Sequence, residues 1–234
     1  MEEAPFPGLG ADLAWLAVDR AMIAAGDRIL VAAAAVQLGQ VLRAAGQARE
    51  ATSAMRAAAY RIAPPVIEYG SPAELSLCGT LLVQAALAAA RHGDDAAVTE
   101  LLDEAADLAE RVGDGHDHHR TGFGPTAVAL ARAAAAVDLG DARDAVAWHG
   151  KAIQRDGWRW LPVEHRAAHL IDAARAYLEV GDPVNAGRVL VDAERIAPAE
   201  VRHRPTARDV LAQVARDPDA LATVTQLADT LGVG

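Results

Sequence analysis

The residues best equipped for chemistry in this 234-residue chain are its histidines. His116, His118 and His119 fall with Asp117 in one glycine-rich stretch, GDGHDHHRTGFG. His165 and His169 stand four apart in HRAAH, one helical turn, a spacing at which two imidazoles can share a zinc ion. A metallopeptidase helix also carries a glutamate as general base inside that motif, and none is present; no third ligand is fixed by spacing. The expectation is no metal: solvated loop histidines and a pair on a helix surface, with pH sensing as a further use of the cluster.

Other chemistry is thinner. Cys78 lies in a core-like helical stretch without a placed histidine, and there is neither a glycine-rich phosphate loop nor a nucleophile elbow around a serine. No enzyme and no cofactor are expected. Trp158-Arg159-Trp160 is the densest aromatic site in a chain with only 4% aromatic residues. It reads equally as a binding spot or lid and as a plug over a long link, with Trp158 the more exposed because Gly157 precedes it.

The elements that must position these residues are helices. In Leu38 to Pro64 a long helix ends at Gly46 and a second opens at once, with Ala51, Met55 and Ala58 on its small or apolar face. The same order of helix, glycine, polar residue and helix returns at Gly93-Asp94, Gly140-Asp141 and Gly181-Asp182, with a leading half-copy at Gly26-Asp27. The full copies are 47, 47 and 41 positions apart (93−46, 140−93, 181−140). Alanine dominates a hydrophobic fraction of 52%, and no β-branched run alternates for long enough to suggest a strand. The fold expected is all-α: an array of about eleven helices in antiparallel pairs.

Ser71-Pro72-Ala73-Glu74 signals a helix start, with Ser71 as cap and Glu74 reaching back. Pro125 and Pro162 open two further helices, Asp182-Pro183 opens another and Pro198 closes it. Residues 1–10 read as a disordered or added lead, and 11–234 as one helical domain that begins with a helix from Ala11 to Ala25. Within it, 205–234 form two capping helices, one with Val210, Leu211 and Val214, the other with Leu221, Val224, Leu227 and Leu231. The face through Leu221, Val224 and Leu231 is the first candidate for self-association.

Lys and Arg number 22 against 32 Asp and Glu, for a net charge of −10, and no cationic cluster breaks the balance. This chain alone is not expected to bind nucleic acid. The lone cysteine fits a reducing, cytoplasmic compartment, and no apolar run approaches the ~18 residues of a membrane span.

Leu38-Gly39, Leu42, Gly46, Ala51, Met55 and Ala58 fall at the offsets of the tetratricopeptide pattern, as do Leu170, Ala174, Tyr177, Ala186, Leu190, Ala193 and Pro198. His149 stands where that pattern usually has a large apolar residue. The spacing exceeds the ~34 residues of the standard repeat, so the chain is tetratricopeptide-like. GFGPTAVALARAAAAVDLGDARDAV, EHRAAHLIDAARAYLEVGD and AERIAPAEVRHRP resemble a narrower group: the C-terminal tetratricopeptide-like (TPR) portion of actinomycete-type transcriptional regulators with an XRE-class helix-turn-helix domain in front. The departures are GPTAV where that group has GPTNV, and the histidine- and tryptophan-rich links.

The resemblance implies a right-handed superhelical α-solenoid, a DNA-binding module upstream, and a regulatory domain that senses an effector and helps to form a homodimer. Carried over, the inward-facing offsets are Val36 and Gln40, Val83 and Leu87, Leu130 and Val137, and Ile171, Arg175 and Leu178. With Trp158 from the link, this lining suits an apolar small molecule with an acidic or carbonyl end, or an amphipathic helix or peptide. If the concave face is closed, the same residues are ordinary core. The alternative function is a constitutive interaction or dimerisation scaffold.

Overall fold

A computed structural model describes residues 28–233. The helix expected over Ala11–Ala25 and the half-copy turn at Gly26-Asp27 lie outside the described residues. Within them the chain is all-helical, with eleven α-helices: α1 (Arg28–Ala44), α2 (Ala48–Ile62), α3 (Pro72–Arg91), α4 (Asp95–Val112), α5 (Pro125–Leu139), α6 (Ala142–Ile153), α7 (Val163–Glu179), α8 (Pro183–Ile196), α9 (Pro198–His203), α10 (Pro205–Ala215) and α11 (Ala222–Leu231). They fall into two compact units that divide inside α5, between Val128 and Ala129.

One local device recurs in both units. Gly46, Gly93, Gly140 and Gly181 adopt φ of 76°, 78°, 81° and 79°, a left-handed conformation that costs glycine nothing. The next residue turns its N–H back to the preceding helix: Gln47 to Leu42 O, Asp94 to Ala89 O, Asp141 to Ala136 O and Asp182 to Tyr177 O, all at 2.8–3.1 Å. In the last three turns that residue is an aspartate whose Oδ1 accepts from the N–H three residues on, at Ala97, Asp144 and Asn185. Each Gly-Asp pair thus ends one helix and caps the next. The Asp182 carboxyl, holding two Asn185 donors, sits below the usual carboxylate range.

In the first unit α3 is central and packs against α1, α2 and α4. Its small residues Ala85, Ala86, Ala88 and Ala89 are fully buried, so neighbouring backbones approach closely, while Leu77, Leu81 and Leu82 fill the remaining space with Met55, Leu101 and Leu102. Ser71 and Glu74 form the expected capping box. The expectation that no run reaches membrane-span length is corrected here: Pro72–Arg91 is long and apolar enough, with mean hydropathy 1.5, because a helix buried on most sides needs no polar face. Of that window 67% is buried inside the fold.

The link after α4 folds back on this core. Asp114 accepts from both the backbone N–H (3.0 Å) and the hydroxyl (2.7 Å) of the buried Thr126, tying the link to the start of α5. Phe123 lies over Gly79, where a Cβ would stand 2.0 Å from the ring's Cζ.

In the second unit α7 packs on α6 and α8, and α9, α10 and α11 pack on α8. Ile171, Leu190, Val201, Leu211, Val214 and Val224 form one apolar cluster. Residues 205–234 hold two helices, α10 and α11, at the expected places; the short α9 before them is the addition, because Pro198, expected only to close α8, supplies the preset φ that opens it. Val224 is buried, and Leu221 and Leu231 pack against the cluster, so the face expected to self-associate is spent on the chain's own core.

Candidate functional site

The groove residues drawn from the resemblance divide between the two units. In the first, Val36 and Val83 are buried, Leu87 is half-buried and Gln40 is exposed. In the second, Val137 and Ile171 are buried, and Leu130 and Leu178 are half-buried. Arg175 is engaged: its Nη2 donates to Val137 O (3.1 Å), one of the terminal carbonyls of α5 that lack a partner within the helix, and its Nε is 3.5 Å from Glu179 Oε1.

The tryptophans reverse the expected order. Trp158 is half-buried and packs on the apolar cluster, whereas Trp160 is 68% exposed. Gly157 does not lift its neighbour out; it is buried in a short 3₁₀ turn spanning Asp156–Trp160, which lays Trp158 inward.

Trp158 lies edge-on to His169, their ring centroids 5.7 Å apart. His169 does not pair with His165, which is exposed in the first turn of α7; it meets His149 of α6 instead. His149 Nδ1 is 2.9 Å from His169 Nε2, so the N–H of one imidazole donates to the lone pair of the other. The rings stack at 5.1 Å, and Tyr177 closes the far side edge-on to His149. With exposures of 2% and 7%, neither ring offers a face to a ligand.

Burial disfavours the charged form of both rings, holding His149 below the ordinary imidazole range and pushing His169, which also faces His149, down to about 3. The pair is neutral at neutral pH and can keep its hydrogen bond after taking up one proton, but not two.

The other candidates are less equipped. Burial pushes the Cys78 thiol up to about 12, so it is no thiolate nucleophile. His116 and His118 are ring neighbours at 5.8 Å in the link after α4. Among the described residues no group of three His, Cys, Asp or Glu side chains is placed to hold a metal ion.

A second constellation has a different character. In the first unit a pocket of about 520 Å³ lies between α2 and the turn joining α3 to α4. Arg49, Thr52, Ser53 and Arg56 line it from α2, and His92 and Asp94 from the turn. Thr52 Oγ1 donates to Ala48 O (2.9 Å), which leaves its lone pair 3.4 Å from His92 Nε2. Sequence reasoning passed over this site. Its signal is the i, i+4, i+7 spacing of Arg49, Ser53 and Arg56, which sets all three on one helix face. Neither a protein-family model, nor a curated protein, nor a solved structure matches this chain.

Proposed function

We propose that this chain is the ligand- or partner-sensing domain of a transcriptional regulator, a right-handed solenoid of antiparallel helix pairs that binds an effector and answers by a change of curvature or of dimer geometry. The observation that carries the reading is the repeated turn: four glycines with φ of 76–81°, three of them followed by an aspartate cap of the same geometry. Repeats joined this way touch mainly their neighbours, so small changes at each contact add along an array. DNA binding belongs in this reading to an upstream module, in keeping with a net charge of −10, and the working compartment is the cytoplasm.

Amide hydrogen exchange tests it. The chain is compared before and after incubation with the small-molecule fraction of its host cells. Slower exchange in the helices flanking Gly93, Gly140 or Gly181 is expected if an effector biases the array. Identical exchange maps contradict the effector.

A second reading, a constitutive interaction scaffold, is favoured by one surface feature. The link between α2 and α3 holds Val66, Ile67 and Tyr69 exposed, Tyr69 at 86%, within four positions of one another. Exposed apolar groups gathered in one place mark docking surfaces more often than chance exposure does.

A further inference from the structure

We infer that the pocket between α2 and the turn joining α3 to α4 binds the phosphate monoester group of a small polar molecule. Two guanidinium groups, Arg49 and Arg56, line it, and among the described residues neither forms a hydrogen bond or an ion pair. Together they bring two positive charges toward the charge of about −2 that a phosphate monoester carries near neutral pH, against one negative charge from Asp94 in the same lining.

The remaining donors select phosphate over carboxylate. A planar carboxylate is satisfied by one arginine fork. A tetrahedral group with three terminal oxygens needs donors from several directions. Here α2 offers both guanidinium groups and the Ser53 hydroxyl along one face, and the turn after α3 brings in the His92 ring, whose Nε2 faces Thr52 Oγ1. Asp94, the one acid among these groups, has its Oδ1 held by the Ala97 N–H at the head of α4. The volume of about 520 Å³ leaves room for a polar body beyond the phosphate.

The assignment deepens the effector reading and rests on it only for its regulatory consequence. Binding to this pocket is measured directly, whereas hydrogen exchange with host extract reports an effector anywhere on the chain, so either can fail alone. The test is calorimetric titration of the whole chain with glycerol 3-phosphate, and separately with citrate, at low ionic strength. Arg49→Gln and Arg56→Gln are compared with Arg143→Gln, an exposed arginine on α6 outside the pocket. Both pocket arginines are exposed, so their variants should keep the wild-type melting temperature. Expected is saturable binding of glycerol 3-phosphate, weakened about tenfold or more by either pocket substitution and unchanged by Arg143→Gln. Equal weakening in all three variants, saturable binding of citrate alone, or no saturable binding would overturn the inference.

Discussion

His149 on α6 and His169 on α7, twenty positions apart in the chain, meet ring to ring with Nδ1 and Nε2 2.9 Å apart and Trp158 edge-on to the second ring. Burial depresses both imidazoles, so the unfolded chain takes up protons at a higher pH than the folded one. The contribution to stability is therefore complete above the free-imidazole value of about 6.5 and is lost as pH falls from there toward the folded values, about 3 for His169. Urea titrations at pH 7.5, 6.0 and 5.0 should give a midpoint that falls with pH. The slope approaches about 1.4 kcal/mol per pH unit for each ring that must stay neutral. His149→Phe should flatten that dependence; an unchanged slope would place the titrating groups elsewhere.

Glycine-to-alanine substitutions separate two reasons for a glycine. At Gly93, Gly140 and Gly181 nothing lies within 4 Å of an added Cβ, so the cost is the left-handed backbone alone, about 1–2 kcal/mol at each turn. At Gly79 the backbone is helical, and the added methyl runs into the rigid Phe123 ring. Gly79→Ala should cost about 1–3 kcal/mol or more by overpacking. Shortening the obstacle with Phe123→Leu should recover part of that loss in a double-mutant cycle, but recover nothing at Gly93→Ala. Gly39→Ala, whose Cβ meets the flexible Met55 thioether, should cost less than Gly79→Ala.

The tryptophan pair gives a third check. Trp158→Ala removes a side chain packed on the cluster of α7, α8, α10 and α11 and uncovers His169, and should destabilise by about 2–4 kcal/mol. Trp160→Ala, at an exposed site, should stay within about 0.5 kcal/mol. Iodide should quench Trp160 and spare Trp158; the reverse order would restore the exposure expected from Gly157.

How legible this molecule was in its sequence depends on the range of the interaction. Helix ends are set within a few residues, so the Ser71 capping box and the Gly-Asp turns could be placed from residue order alone. The histidine pair was half visible. His149 stood out as polar at an apolar position and His169 as part of HRAAH, but the nearest sequence partner, His165, drew the pairing that the packing of α6 on α7 gives to His149. The order of the tryptophans is not legible locally, because the tight turn at Asp156–Trp160, not the glycine's freedom, decides which ring points inward. The Arg49 and Arg56 pocket was hidden because an exposed charge on one helix looks like a solvated face until the turn after α3 is laid beside it.

Native mass spectrometry of the chain purified from its own host shows whether it carries an effector. A reproducible excess mass per subunit is expected, one that is lost in Arg49→Gln if the phosphate pocket holds the effector. A clean unliganded subunit mass, still unliganded after incubation with host extract, would contradict the sensing function and leave the interaction scaffold as the reading to pursue through the Val66, Ile67 and Tyr69 surface.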